Sequence, residues 1–223
     1  MKMTLTILAA SALALAAGQA SAQAAGSYIV RLGATHIGPE VKSGDLSAPS
    51  FPGTTIDVGG NTQVTGGLTY MWTDNISIDL PIGLAFKNKI TGTGAIDGVG
   101  ELATVRALPV TLLGQYRFGN ATSRFRPYLG AGVSYAYFYR ARSTAALSGL
   151  TGGTPSNPTT MKMDGSLGPD LQIGASYQFS EHWSLDVNLI QSFLKTTGHL
   201  STGQNIDVTI NPLAAAVAVG YKF

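Results

Sequence analysis

The chain has 223 residues, of which only 12% are charged; glycine occurs 28 times and cysteine is absent. Without cysteine, neither a disulfide framework nor a thiolate metal site can form. The formal net charge of +2 is too small for the basic surface that nucleic-acid binding requires. Nucleic acid is therefore excluded as an expected partner.

The first 22 residues have the pattern of a secretory signal peptide. Lys2 supplies the positive start, residues 5–17 form an apolar run, and Ala20-Ser21-Ala22 is a small-residue cleavage site. The run is shorter than the ~18 apolar residues of a membrane-spanning helix. We predict a signal peptide at 1–22 and a single mature domain at 23–223.

Period-2 alternation recurs along the mature chain and predicts strands. The predicted strands are 27–37, 63–73, 76–87, 102–118, 125–140, 166–179, 183–194 and 206–223. Short connections at 73–75, 119–124 and 180–182 alternate with longer ones at 38–62, 88–101, 141–165 and 195–205. This asymmetry is typical of up-and-down outer-membrane barrels, and an even strand number predicts that both termini are periplasmic.

The predicted lipid-facing rows carry almost no charge, and Arg106 is expected near a rim. A soluble periplasmic β-sandwich is the alternative, but it has no reason to sort aromatic residues by depth. Nine aromatic residues are predicted to form a girdle on the side of the short turns: Tyr28, Trp72, Tyr116, Phe118, Tyr177, Phe179, Trp183, Tyr221 and Phe223. A sparser girdle is predicted at Phe86, Tyr137, Tyr139 and Phe193. The fold class is thus all-β, an eight-stranded antiparallel up-and-down transmembrane β-barrel.

The last strand is apolar at alternate positions from Leu213 to Phe223. Upstream, Ile206, Val208 and Ile210 are out of phase with this row, so we predict a β-bulge near Asn211-Pro212. The terminal Phe223 resembles the signal by which the barrel-assembly machinery recognises outer-membrane proteins. That machinery is therefore a predicted partner.

Four segments together resemble the OmpW family of outer-membrane proteins of Gram-negative bacteria: 73–76, 103–113, 126–135 with its R-P-Y-x-G-A-G start, and the end of the chain from 211. They match in order across essentially the whole mature chain. The resemblance implies an eight-stranded barrel with a narrow, largely hydrophobic lumen. It also implies passage of small hydrophobic molecules across the outer membrane and a part in stress adaptation.

Strand alternation places a set of polar residues in the lumen: Arg31, Asp79, Arg126, Asp170, Gln172 and Asp186. Pro81 and Ile190 are predicted to point inward among them and are apolar. One hypothesis is a ligand path lined by Arg31, Asp79, Pro81, Gln172, Asp186 and Ile190. The alternative is ordinary filling of a narrow barrel, with opposite charges paired. Pro81 also predicts looser strand pairing, which would suit a sideways exit into lipid.

The long loops are unusually apolar, and we predict an extracellular funnel at Leu46, Phe51, Leu147 and Leu150. No catalytic residue, metal or cofactor is predicted. His36, His182 and His199 fall at different ends of the predicted topology, and no Ser/His/acid cluster occurs. Ser192-x-x-Lys195 matches the S-x-x-K spacing of serine acyl-transfer enzymes, but the companion motifs of those enzymes are absent from the sequence.

Three functions are compatible with this pattern. The first is a narrow outer-membrane channel for small apolar molecules, with membrane lipid and lipopolysaccharide as surroundings. The second is a non-conducting surface barrel whose loops bind phage, toxins or host molecules; a lumen plugged by charge pairs would favour it. The third, an enzyme that modifies lipid A, lacks the residues it would need. Fold alone does not separate them.

Overall fold

Alternating side chains build strands that pair in antiparallel order around a closed barrel. The computed structural model describes residues 23–223, so the predicted signal peptide lies outside the described residues. The strand segments are β1 Tyr28–Ser43, β2 Thr54–Val58, β3 Asn61–Met71, β4 Ile76–Gly83, β5 Phe86–Gly94, β6 Glu101–Arg117, β7 Phe125–Ser143, β8 Met161–Met163, β9 Ser166–Gln178, β10 Trp183–Ser192, β11 Lys195–Leu200 and β12 Asn205–Lys222.

These segments make eight long strands, as the sequence predicts. The pairing order is β1-β3-β4-β6-β7-β9-β10-β12, and β1 pairs with β12 to close the ring. The other four segments continue a neighbour along the chain: β2 leads into β3, β4 into β5, β8 into β9 and β10 into β11. Closure leaves none of the eight long strands at a sheet edge, as the bilayer interior requires, although one stretch between β4 and β6 lacks paired residues.

The two ends of the barrel differ. One end, which we call the turn end, carries the short turns that follow β3, β6 and β9. Residue 23 and Phe223 lie at the same end. The other, the loop end, carries the long connections. These connections are more ordered than predicted: β2, β5, β8 and β11 lie in segments expected to be loops. The strands continue because their inner faces become apolar there, at Val58, Ile90 and Met163.

One short helix lies at the loop end. This helix, α1 (Ala145–Thr151), begins after Thr144, whose side chain accepts a hydrogen bond from the Leu147 N–H. It ends at Gly152, which adopts the left-handed conformation that glycine tolerates. Among the described residues, no helix is both long and apolar enough to cross a membrane.

The outer surface is an apolar band with an aromatic border. Leu32, Leu84 and Leu167 are about two-thirds exposed, at 67%, 67% and 70%. At the turn end, Tyr221 packs against Trp183 and Phe223 with ring centroids 4.9 and 4.8 Å apart. A continuous apolar surface of this kind is stable against lipid and not against water. The predicted turn-end girdle thus matches the arrangement of the side chains.

Two predictions about strand phase are wrong. The β12 register runs without a shift past Asn211-Pro212, so the predicted bulge is absent. Throughout β12 the even-numbered side chains face inward. Ile206, Val208 and Ile210 are among them and are buried in an apolar cluster at the loop end. The apolar residues change face because the outer surface beyond the lipid band meets water.

The phase shift occurs instead between β4 and β5. Leu84 is exposed on the outer face, whereas Phe86 is only 3% exposed and points inward. Phe86 therefore does not belong to the predicted outer girdle. The interruption at 84–85 turns the even positions of β5 toward the lumen, and Asn88 and Ile90 follow Phe86 inside.

Candidate functional site

An ion network fills the turn-end half of the lumen. Arg31 Nη2 lies 2.5 Å from Asp79 Oδ1, and Arg31 Nη1 lies 3.1 Å from Asp186 Oδ1. The Thr69 hydroxyl donates to Asp79 over 2.6 Å. The Tyr128 hydroxyl donates to Asp186 over 2.9 Å. The network joins β1, β3, β4, β7 and β10, so it ties opposite walls of the barrel together.

Two glycines give this network its room. A Cβ atom at Gly67 would lie 2.7 Å from Arg31 Nη2, and one at Gly174 would lie 2.4 Å from Tyr128 Cζ. Both distances are too short for any real contact. The guanidinium and the phenol thus occupy the space that a side chain at these two positions would take.

A second polar layer lies closer to the turn end. Arg117 donates to Ser77 Oγ over 3.1 Å and to Gln115 Oε1 over 2.8 Å. Its guanidinium also sits 4.6 Å from the centre of the Tyr128 ring, within the range of a cation–π contact. Gln115 in turn donates a hydrogen bond to Gln172 over 2.8 Å, which extends this hydrogen-bond network to β9.

The turn end itself is closed by Gln23 and Arg126. The Gln23 side chain, 3% exposed, donates to Ser176 and accepts from Arg117. Arg126 is fully buried and donates to the backbone carbonyls of Gln23, Asp74, Arg117 and Phe118. These bonds hold the start of the described chain and two turns against the lumen at this end.

A cavity of about 110 Å³ lies directly above the ion network, on the side of the loop end. Its floor includes Arg31, Asp79 and Gln172, and its walls include Pro81 and Ile190. Five of the six predicted lumen residues therefore border one space, and Asp186 lies beneath it. Phe86 and Leu194 form part of the same lining.

The barrel wall beside this cavity has a gap in its backbone pairing. β4 pairs with β6 from Ile76–Tyr116 to Asp79–Leu113, and pairing resumes at Phe86–Ala107. Residues 80–85 have no paired partner on β6, and residues 108–112 have none on β4 or β5. Pro81 and Pro109 lie on the two sides of this seam and cannot donate a backbone hydrogen bond. Unpaired backbone groups are energetically costly in lipid. The gap therefore destabilises the barrel wall, and its presence calls for an explanation.

The loop end is apolar inside. Leu46, Phe51, Leu147 and Leu150, the predicted funnel residues, all line one crevice of about 40 Å³. Leu46 and Leu147 are buried, while Phe51 is 79% exposed. Beneath the crevice, Ile90 and Leu102 belong to a buried apolar cluster that reaches Ile210. From the loop end inward, the lumen thus contains first the apolar cluster, then the cavity and then the ion network.

Sequence reasoning missed part of this interior. Tyr128 lies two residues after Arg126, so strand alternation alone would have placed it inside. Arg117 and Thr69 follow the same rule on their own strands. Gln23 lies outside any strand, and no periodic signal could have found it.

The histidines lie apart. His36 contacts Thr62 on the adjacent strand, His182 stacks on Tyr221 at the turn end, and His199 contacts Asp164 at the loop end. Within residues 23–223, no group of three or more His, Cys, Asp or Glu side chains is placed to hold a metal ion.

His199 makes the loop end sensitive to pH. Its ring nitrogens lie 2.9 Å from Asp164 and 2.7 Å from Asn205. The hydrogen bond to Asp164, then that to Asn205, raises the pKa of His199, while Lys162 opposes the effect. Because the folded pKa exceeds the unfolded value of ~6.5, the stabilisation is complete below that pH and is lost as the pH rises through the folded pKa.

We therefore expect the backbone amides of β11 to lose hydrogen-exchange protection as the pH rises above about 6.5. His199→Gln keeps a hydrogen-bonding side chain but removes the titration, so its protection factors should not change over this range. An equal loss of protection in the variant would contradict the assignment to His199.

Comparison with known proteins gives a consistent picture. The model of the OmpW family matches residues 24–223. The chain is 34% identical over 227 residues to outer membrane protein W of Vibrio cholerae serotype O1, with 100% of both chains covered. It resembles the crystal structure of outer membrane protein OprG from Pseudomonas aeruginosa, with a TM-score of 0.81, 28% identity, and coverage of 91% of this chain and 98% of that one. It is also 25% identical over 181 residues to the dibenzothiophene metabolism operon protein PahQ of Pseudomonas aeruginosa, covering 80% of this chain and 79% of PahQ.

Proposed function

We propose a function on the premise that this chain belongs to the OmpW family and is an outer-membrane β-barrel. It admits small apolar molecules at the loop end and releases them sideways into the bilayer through the β4–β6 seam. The observation that carries this proposal is the stretch 80–85, which has no paired partner on β6 and lies beside a cavity whose floor is ionic.

The energetics of the lumen support a sideways exit. An apolar molecule that continued toward the turn end would have to displace the contacts of Arg31 with Asp79 and Asp186, which are desolvated and hydrogen-bonded. Breaking buried ion pairs of this kind costs about 3–5 kcal/mol each. Leaving through the seam instead breaks none of these pairs, and it places the molecule in lipid and not in the water of the periplasm, a difference of about 25 cal/mol per Å² of apolar surface. The seam is the easier route.

The proposal places the loop end outside the cell and both termini in the periplasm. A chain without cysteine allows a direct test, because Ser50→Cys introduces a single thiol beside the crevice. Whole cells should react with a membrane-impermeant maleimide through this thiol. Labelling that requires lysis of the outer membrane would reverse the orientation.

PahQ is named as a dibenzothiophene metabolism operon protein. Dibenzothiophene is a flat apolar molecule, and this supports apolar aromatic compounds as the substrate class here. The test is the initial uptake rate of a small labelled aromatic hydrocarbon in cells that lack the protein and in the same cells expressing it. We expect entry to be several-fold faster with the protein. Unchanged entry, with the folded barrel verified in the outer membrane, would refute the proposal.

Filling the cavity should block uptake. Ile190 lines the cavity from β10 and is partly buried, so Ile190→Trp puts a large ring into a space of about 110 Å³. We expect uptake to fall several-fold while the barrel still folds. Leu189→Trp is the matched control, since Leu189 lies one residue away and faces outward at 43% exposure. Equal inhibition by both variants would remove the cavity from the route.

A second function also has an observation in its favour. The turn-end half of the lumen is plugged by charge pairs, as expected for a non-conducting barrel whose loops bind phage, toxins or host molecules. The same uptake measurement separates the two proposals, because a surface-binding barrel leaves hydrocarbon entry unchanged. In neither case do we assign an enzymatic reaction.

A further inference from the structure

Five cationic side chains point outward from three adjacent strands at the loop end. They are Lys87 and Lys89 on β5, Arg106 on β6, and Arg140 and Arg142 on β7, and all five are exposed. We call this group the basic patch. The acidic residues beside it are Glu101, which lies 3.2 Å from Lys89 Nζ, and Asp57, whose strand partner Thr91 is two positions from Lys89. The patch therefore keeps a net positive charge.

The strand register brings these charges together. Lys87 lies directly opposite Arg106, and Arg106 lies opposite Tyr139. In the next row, Thr104 stands between Lys89 and Arg142. Like charges directly opposite one another destabilise a sheet. Within residues 23–223, no carboxylate lies within 4.0 Å of Lys87, Arg106, Arg140 or Arg142. The barrel itself leaves this repulsion uncompensated.

The backbone at the patch is also strained. Arg140 has φ of 50°, and it is the one non-glycine residue with positive φ in the part of the chain that the structure describes. It occupies a register shift between β6 and β7, where two residues of β7 oppose one of β6. Glycine would adopt this conformation without the side-chain clash that arginine incurs. Strain of this kind points to a role for the side chain that holds it.

The patch has a defined depth. On β6, the outward residues below Arg106 are apolar, with Val110 and Leu112 both more than half exposed. On β7, Tyr137 and Tyr139 stack with centroids 5.8 Å apart directly beneath Arg140. Tyrosines of this kind mark the interface between hydrocarbon and headgroups. The basic patch therefore lies at headgroup level, just outside the apolar band.

We propose that the basic patch binds the phosphate groups of lipid A in the outer leaflet of the outer membrane. Lipid A carries a phosphate at each end of a glucosamine disaccharide, so one headgroup can supply the anions that both rows of the patch lack. Its acyl chains then lie against Val110 and Leu112. The inference is separate from the transport proposal and shares with it only the outward placement of the loop end.

The side-chain chemistry favours a phosphate. Arginine presents a planar fork that bonds two phosphate oxygens at once, and three of the five cations are arginines. A soluble anion would gain nothing from the apolar strip below the patch, whereas a lipid gains contacts along its whole length. The combination of both features in one place points to a phosphorylated lipid.

The test uses barrel refolded in detergent micelles, which carries no cellular lipid, titrated with fluorescent bisphosphoryl lipid A. The variant Arg106→Gln/Arg140→Gly/Arg142→Gln removes three charges and relieves the strain at residue 140. Each charge-assisted phosphate contact is a factor of about ten in affinity, so we expect the Kd to rise at least about tenfold. Far-UV circular dichroism verifies that both barrels are folded.

A matched control removes three cations from another wall: Lys42→Gln/Lys162→Gln/Lys195→Gln, all exposed and outside the patch. Its Kd should stay within about twofold of the wild type. An equal loss in both variants would mean general charge attraction and would overturn the proposal, as would an unchanged Kd in the patch variant. Binding of inorganic phosphate with a Kd as low as that of lipid A would also overturn it, because the apolar strip below the patch would then contribute nothing and the site would belong to a free anion.

Arg140→Gly alone separates binding from folding. It should weaken lipid A binding while leaving the urea midpoint unchanged or higher, because glycine accepts positive φ. A drop in the midpoint without a change in the Kd would assign Arg140 to the fold and not to the lipid.

Discussion

Replacing Asp186 with alanine is expected to lower the free energy of unfolding by about 3–5 kcal/mol. The carboxylate accepts from Arg31, Tyr128 and Asn188, over 3.1, 2.9 and 2.9 Å. Its side chain is 3% exposed, so water does not replace these partners. The variant leaves three buried donors without an acceptor, and a truncated buried network loses more than its contacts alone supply.

The measurement is reversible urea unfolding of the barrel in phospholipid vesicles. Asp207→Ala is the control, since Asp207 also accepts a side-chain hydrogen bond, from Thr197 over 2.7 Å, but is exposed. Its unfolding free energy should change by no more than about 0.5 kcal/mol. A loss below about 1 kcal/mol in Asp186→Ala would mean that water already enters the turn-end half of the lumen.

Strand alternation predicts much of this interior correctly. Arg31, Asp79 and Asp186 lie on three separated strands, yet period 2 places each of them on the inner face, and there they meet. Alternation succeeds because a membrane barrel has only two environments on each strand. The pairing of the inward charges cannot be predicted in this way. It depends on the register between neighbouring strands, and the residue pattern along a single strand does not contain this register.

The errors share one physical cause. The prediction assumed that apolar residues face lipid along the whole strand, so Ile206, Val208 and Ile210 required a bulge. The strands extend beyond the lipid, and there the environments exchange: water lies outside and an apolar cluster lies inside. Phe86 illustrates the same exchange on β5, helped by the real phase shift at 84–85. Alternation identifies the two faces but not which face is inside.

That exchange has a functional consequence. On the proposed route, an apolar molecule that arrives at Phe51 meets the apolar lining of the crevice and then the cavity, and the ion network lies below it. The lumen is a favourable environment for an apolar molecule at the loop end, where its lining is apolar. It is an unfavourable environment below Arg31, where its lining is charged and polar. The proposed transport then depends on whether the wall can open at the level of the cavity.

Closing the β4–β6 seam with a cross-link is expected to abolish the uptake of apolar molecules. Continuing the register from Asp79–Leu113 places Ile82 opposite Val110, and both are exposed on the outer face, at 55% and 54%. Ile82→Cys/Val110→Cys introduces the molecule's only two thiols. A disulfide can form if thermal motion brings the two Cα atoms within about 7 Å. Uptake of the labelled hydrocarbon should fall to the level of cells without the protein, and a reductant should restore it.

The matched control cross-links an intact ladder. Ile173 and Leu189 are paired residues of β9 and β10, and both face lipid. Because that seam is already closed by backbone pairing, oxidation of Ile173→Cys/Leu189→Cys should leave uptake unchanged. Inhibition by both disulfides would show that overall rigidity limits transport. Full uptake through a verified Ile82–Val110 cross-link would exclude the seam, and the ion network below Arg31 would then have to open toward the turn end.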